Sequence, residues 1–324
     1  MALVDWEEKL EVVRNNGLTW IDIQNPTRDM IAKLGEKYSF HELNVEDCLS
    51  KIQIPKVDKY KDHIFIILHF PTTDKKTKKT TLRFSQLSIF AGANFLVTVH
   101  QGDLKPLEEM FSLCEQNDKL RETYMGKSSG YLLHSIIDVL VDDLLHMLMK
   151  VVGNLEDIED AVFDDKVAVV KEISLLRREI TTLRRVVFPL KRIVLEVTKD
   201  IQKFSDEDLT QYFNDVGDHI DKVLEVLEGS RETIEIYKDT DFMLSTEKTN
   251  EILAVLTILF TLSIPVTIIG TFYGMNMNLP GGIQTGSWTF FGTYTTMIIV
   301  VLITIACTLI MLLYFRRVGW IRIG

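Results

Sequence analysis

The spacing of hydrophobic residues changes twice along the chain. Up to about residue 130, short stretches rich in β-branched and aromatic residues predict strands: Leu18–Ile23 (LTWIDI), His63–Phe70 (HIFIILHF) and Leu87–His100 (LSIFAGANFLVTVH). Among them, PTRDMIAKLGEKY, opening at Pro26, and LKPLEEMFSLCEQ predict helices. This mixture reads as an α/β domain over residues 1–130. From about Gly130 the apolar positions recur at helical spacing almost without interruption. SIIDVLVDDLLHMLMKVVGNLEDIEDAVF and VVKEISLLRREITTLRRVVFPLKRIVLEVTKDI predict two long antiparallel helices joined at the acidic turn Asp164-Asp165, with Pro189 kinking the second. A third long helix opens near Ser205, where Asp206, Glu207 and Asp208 complement the positive end of its dipole. It meets no proline before Pro265, and Gly217 and Gly229 weaken it without ending it. About 70 residues at 1.5 Å each predict a rod of roughly 105 Å. No single domain buries such a rod, so the pattern predicts a stalk packed against copies of itself around an axis.

Charge then disappears. From Ile252 to Phe315 there are 64 residues and not one Asp, Glu, Lys or Arg. About 20 apolar residues span a bilayer, so residues 252–315 predict a hairpin of two spans, Ile252–Tyr273 and Trp288–Phe315. Pro280, Gly281, Gly282 and Gly286 mark the loop between them, residues 277–289. Lys248 precedes the first span and Arg316 and Arg317 follow the second, while the loop has no basic residue. The positive-inside rule then places both termini in the cytoplasm, with 316–324 a basic tail. A buried hairpin in a soluble protein is the competing reading, and it is weak, because residues 131–251 and the acidic domain before them offer little to cover two such helices.

Charge sharpens the division. All 46 acidic residues lie at or before Glu251, against 33 basic residues in the same stretch, a net charge of −13 there. Such a surface disfavours nucleic acid and concentrates cations, although excess acid also simply keeps a domain soluble. Cys48, Cys114 and Cys307 lack metal or redox spacing and predict no disulfide. The N-terminal MALVDWEE lacks the basic and apolar regions of a signal peptide. GKSS at Gly126–Ser129 hints at a phosphate loop, but Arg121 stands where that motif needs glycine, so an ATP-driven pump is rejected.

The first span carries a polar stripe. Asp239, Thr246, Asn250, Leu253, Thr257, Ile264, Thr267, Thr271 and Asn276 follow one another in steps mostly of three, four or seven. For any single threonine, bonding back to its own helix is the better explanation. The stripe as a whole favours a pore of small polar oxygens and narrow apolar rings. At its end, Gly274 gives the backbone freedom, and Asn276 offers a neutral amide oxygen that suits a strongly hydrated cation such as Mg2+. A carboxylate ring would hold the ion too long. On these residues alone, a filter and a turn between spans remain equal readings.

Tyr273-Gly274-Met275-Asn276, closing the first of two C-terminal spans, resembles the signature of the CorA magnesium-channel family. TWIDI, Val45–Leu68 (VEDCLSKIQIPKVDKYKDHIFIIL), Asp138–Leu145 (DVLVDDLL), Leu183–Val194 (LRRVVFPLKRIV) and Lys248–Asn276 extend the resemblance over nearly the whole chain. It implies a homopentamer in the cell (inner) membrane. Each subunit would have an α+β cytoplasmic domain of the α/β/α funnel type, long stalk helices and a two-helix C-terminal transmembrane hairpin. It implies a divalent-cation channel, not an enzyme, admitting Mg2+, with Co2+ and Ni2+ as further ions, driven by membrane potential and inhibited by cytoplasmic Mg2+. No cofactor is expected beyond transported and regulatory Mg2+. Gly274, Met275 and Asn276 match the selectivity filter. Asp239, Asn250, Leu253, Leu256, Ile264 and Thr267 match pore-lining positions. Asp47, with Glu46 beside it, matches a regulatory acidic residue, and Asp215 its partner on the neighbouring subunit's stalk. Two such carboxylates repel unless a divalent ion bridges them. The sequence departs from the family in its outer loop, Met277–Thr289, which has no acidic residue, and in its short basic tail of Arg316, Arg317 and Arg322. A zinc transporter of the same superfamily and a membrane-anchored sensor without transport are the alternatives. The sensor leaves the polar stripe unexplained, and the absence of charge in either span argues against a proton relay there.

Overall fold

In the computed structural model of the chain, residues 11–50, 53–74, 81–164, 169–205, 207–275 and 295–319 are described. They fall into two compact units, Met1–Asp239 and Thr240–Gly324.

The first unit is organised by a six-stranded mixed sheet. Its strands are β1 (Glu11–Asn15), β2 (Leu18–Gln24), β3 (Lys56–Lys59), β4 (His63–Asp74), β5 (Thr81–Gly92) and β6 (Phe95–His100), in the spatial order β1-β2-β6-β5-β4-β3. Among the described residues only β2 and β6 pair in parallel, with Thr19 opposite Phe95. Both faces are covered, which is why HIFIILHF reads as an unbroken apolar run rather than an alternation. Ile64, Ile66, Leu68 and Phe70 point to one face, and Phe65 and Ile67 to the other. On the second face lie α1 (Arg28–Tyr38) and α2 (Glu42–Leu49), which contribute Ile31, Leu34 and Cys48. The first face packs beneath α3 (Lys105–Gln116), α4 (Asp118–Met125), α5 (Ser129–Val162) and α6 (Val170–Ile201). Trp20, Phe65, Phe70 and Phe90 are among the largest fully buried side chains, each contributing about 1.5–3 kcal/mol by leaving water.

Several local outcomes differ from the expectations. Leu87–His100 is not one strand. It turns between Gly92 and Phe95, and a Cβ on Gly92 would collide with the Phe95 ring. β1 was not expected; Asn16 and Gly17, both at positive φ, form the two-residue turn that joins it to β2. α2, β3 and α4 are too short to show a clear period. α6 runs as one helix through Pro189. GKSS is a helix junction: Gly126 closes α4, and the Ser128 hydroxyl caps α5 by accepting from the Tyr131 amide at 3.2 Å.

The last stalk helix, α7 (Thr210–Gly274), has 65 residues and includes Pro265. It begins five residues later than Ser205, after a short 3-10 turn at Gln202–Phe204, and the Asp208 carboxylate accepts from the Thr210 amide at 2.9 Å. Phe213, Val216, Ile220, Val223, Leu227, Ser230 and Ile234 are buried in steps of three and four, the period of a helix face set against a core. In the second unit, the remainder of α7 and helix α8 (Thr295–Val318) are long and apolar enough to cross a membrane. The first residues of the expected second span, from Trp288, lie outside the described residues.

Candidate metal sites and pore stripe

Asp47 lies near the end of α2, a helix whose first turn is capped by the His41 ring accepting from the Leu43 amide at 3.2 Å. Burial of Cys48 in the sheet core pins that end, and pushes its thiol up to about 12, which disqualifies it as a thiolate ligand. The Asp47 carbonyl accepts from the buried Gln86 side chain at 3.0 Å, and the same Gln86 accepts from the Gln53 amide at 2.9 Å. The Asp47 backbone is therefore held in place, and its carboxylate meets Lys56 Nζ at 2.8 Å. Lys56 also reaches Asp58 at 2.6 Å. Glu46, on the neighbouring position of α2, is exposed.

A second cluster forms where α5 and the start of α7 come together. Asp215 and His219, four residues apart, share one face of α7, and Asp138 meets them from α5. The ligating atoms of the three lie within 4.8 Å of one another. Burial raises the Asp138 carboxyl above its ordinary value; Asp142 and Asp215 add to this, while His134 and His219 oppose it. His134, one turn before Asp138, is buried and packs edge-on against Tyr212 at 5.3 Å and Phe213 at 5.6 Å. Burial lowers its pKa, favouring the neutral ring. The Nδ1 atoms of both His134 and His219 are buried without a hydrogen-bond partner. Two carboxylates and an imidazole at this spacing suit a divalent cation, whose charge would offset the burial, and the lesser repulsion from Asp215 and Asp142, that raise Asp138.

The structure thus joins Asp215 to Asp138 and His219. No hydrogen bond or ion pair links it to Asp47 among the described residues of one chain. The sequence reading passed over Asp138 and His219. The usable signal was the i,i+4 spacing in YFNDVGDH, which places Asp215 and His219 on one helix face.

The expected pore-lining residues all lie on α7. Asp239 is largely exposed, with Lys238 Nζ at 3.4 Å. In the second unit, Asn250, Leu253, Leu256, Ile264 and Thr267 are all exposed. The hydroxyls of Thr257, Thr261, Thr267 and Thr271 donate to carbonyls one turn back at 2.7–2.9 Å. Their hydrogens are committed to the helix, which leaves oxygen lone pairs available as acceptors. α7 ends at Gly274, and Met275 is exposed. Asn276 lies outside the described residues.

The CorA-like Mg2+ transporter protein family matches residues 15–317. The cobalt/magnesium transport protein CorA of Thermotoga maritima is 29% identical, over 94% of this chain and 83% of that relative. A putative metal ion transporter of Bacillus subtilis is 27% identical, over 94% and 90% of the two chains. The solved CorA magnesium transporter of Methanocaldococcus jannaschii superposes with a TM-score of 0.74 at 22% identity, over 95% of this chain and 93% of that one.

Proposed function

Because the chain belongs to the CorA-like Mg2+ transporter family, we propose that five copies assemble around α7 into a channel that admits Mg2+ and closes when cytoplasmic Mg2+ is ample. The general part follows from membership: the protein is a membrane transporter of divalent cations and not an enzyme. The observation that carries the rest is the make-up of α7. One helix starts with a face buried in an aqueous domain and ends in a charge-free apolar segment that leads in sequence to Met275-Asn276.

In this reading Asn276 amide oxygens form a neutral ring at the outer mouth. Mg2+ surrenders water reluctantly, so such a ring holds the hydrated ion through hydrogen bonds from its waters. The threonine oxygens accept further such bonds, while Leu253, Leu256 and Ile264 supply the apolar constrictions that gate conduction. Arg316 and Arg317 keep both termini in the cytoplasm. An inside-negative potential then drives entry, worth about 2.3 kcal/mol per charge per 100 mV and roughly 4.6 for a divalent ion.

Closure uses the acidic sites. Asp47 of one subunit faces the neighbouring subunit's Asp215, and the Asp138–His219 pair beside Asp215 supports a metal at that contact. Bound Mg2+ bridges the subunits. Without it, like charges push them apart and the population shifts towards the open state. One observation favours a second reading: an imidazole beside two carboxylates suits a borderline metal such as Zn2+ or Co2+ at least as well as Mg2+.

The test is uptake of Mg2+, Co2+, Ni2+ and Zn2+ into proteoliposomes at set voltage without ATP. Mg2+ uptake that grows with inside-negative potential is expected. Zn2+ uptake driven by a pH gradient would point to the zinc carrier, and no uptake of any ion would point to a sensor.

A further inference from the structure

The carboxylate expected to sense Mg2+ is already facing a cation. Lys56 Nζ stands between Asp47 Oδ2 at 2.8 Å and Asp58 Oδ2 at 2.6 Å, and 5.6 Å from the centre of the Phe65 ring. Lys56 and Asp58 are two apart on β3, opposite Ile67 and Phe65 of β4, so they share one face of a paired strand. The Asp47 backbone carbonyl is anchored by the Gln86 side chain at 3.0 Å. The group is neither deep in the core nor loosely placed on the surface: the Asp47 side chain is 17% exposed, Lys56 35% and Asp58 34%. The Asp138–Asp215–His219 cluster is different, since no Lys or Arg pairs with Asp138 or Asp215 among the described residues.

We propose that Lys56 is a tethered competitor of Mg2+ at the Asp47 carboxylate, and that it sets the cytoplasmic Mg2+ concentration at which the transporter closes. The proposal rests on the reading that Asp47 takes part in sensing. A cation attached to the same framework competes at a high effective concentration, because no translational freedom is lost when it binds. Burial alone would lower the Lys56 pKa. Its hydrogen bonds to Asp47 and Asp58 more than reverse this, so the ammonium stays charged at neutral pH. Mg2+ binds carboxylates as a hydrated ion, and to reach Asp47 it displaces the ammonium, which retains Asp58 as its remaining partner. Asp58 thereby acts as the parking place of the displaced lysine. The device keeps Asp47 from being saturated at low Mg2+ and removes part of its charge when no metal is present.

A lysine that merely clamps the segment from Asp47 to Asp58 makes a different forecast. Loss of a clamp disorders the site, so Lys56→Gln and Asp58→Asn would both weaken inhibition. Competition forecasts opposite signs. Lys56→Gln vacates Asp47 and lowers the half-inhibiting Mg2+ concentration. Asp58→Asn leaves Lys56 with Asp47 alone and raises it. For ion pairs of this exposure each shift is on the order of threefold.

The experiment measures Mg2+ current of the full-length protein in proteoliposome patches while Mg2+ on the cytoplasmic face is titrated. Wild type, Lys56→Gln, Asp58→Asn and Asp47→Ala are compared, with the oligomer checked by light scattering. Opposite shifts for Lys56→Gln and Asp58→Asn are expected. An unchanged or raised half-inhibiting concentration in Lys56→Gln overturns the proposal; if Asp47→Ala is shifted in the same series, the sensing role of Asp47 survives that failure. If Asp47→Ala behaves as wild type, the sensing reading itself fails, and the competitor role goes with it.

Discussion

The two halves of α7 are made for different surroundings. From Phe213 to Ile234, apolar side chains recur in steps of three and four and are buried, with charged residues between them. Beyond that the apolar residues are exposed: Phe242 by 71% and Phe260 by 70%. Past Glu251 charge vanishes, and the hydroxyls turn back onto their own helix. The backbone conformation is the same throughout. What changes is what the side chains have to meet. A helix whose apolar residues alternate with charge needs one protein face. A helix that is apolar all round, with its polar hydrogens satisfied internally, needs lipid or other helices.

The comparison breaks most visibly at Phe213. Phe213→Ala deletes a fully buried ring and is expected to cost about 3–5 kcal/mol. The melting temperature of the detergent-solubilised protein should fall, and because Asp215 is two residues away, Mg2+ inhibition should weaken as well. A variant as stable as wild type would mean that the first half of α7 is not a core helix. Asp215→Asn comes next. Losing even a group that only orients a metal ligand typically costs 10–100-fold in affinity, and Asp215 stands among the candidate ligands themselves, so the half-inhibiting Mg2+ concentration should rise by about tenfold or more while maximal current persists. An unchanged value would reduce the cluster to surface acids.

The third effect concerns pH. Ile252–Gly274 has no Asp, Glu, Lys, Arg or His, so titration belongs to the first unit and to the start of the second. Burial raises the Glu179 carboxyl on α6, partly offset by Lys150. The folded state then holds this proton more tightly than the unfolded one, and stability falls as pH rises through the window between the two pKa values. Glu179→Gln should remove that penalty at pH 7, a gain under about 1 kcal/mol after solvent screening. The gain should vanish below about pH 4, where the carboxyl is protonated in both states. Melting temperatures at the two pH values check it. Smallest of all is Leu253→Ala. Its side chain is exposed, so stability should change by less than about 0.5 kcal/mol, and the effect should appear in conduction instead. A stability loss matching that of Phe213→Ala would erase the distinction between the halves.

The features legible in the sequence were those with a long period. α1, α3, the long helices and the two apolar segments announced themselves through repetition over ten or more residues, and the core strands β2, β4, β5 and β6 through dense runs of β-branched and aromatic residues. β1, β3, α2 and α4 did not, because four to eight residues carry too few repeats, although Asn16-Gly17 was a usable hairpin signal. The site was harder. Resemblance pointed to Asp47 and Asp215, but Asp138 and His219 complete the cluster only when α5 and α7 pack together. The Lys56 contact is likewise tertiary: nine residues separate it from Asp47, and Gln86 from β5 fixes the geometry.

The central claim is that α7 leads to an ion filter at Asn276, and one measurement tests it most directly. Wild type and Asn276→Ala are reconstituted in parallel, matched for oligomer mass by light scattering, and Mg2+ uptake is recorded at a fixed inside-negative potential. Loss of an oxygen ring at the mouth removes the group that holds the ion's water shell, so uptake should fall to near the level of empty vesicles while the oligomer stays intact. Wild-type uptake by the intact Asn276→Ala oligomer would contradict the filter and, with it, the pore reading of α7.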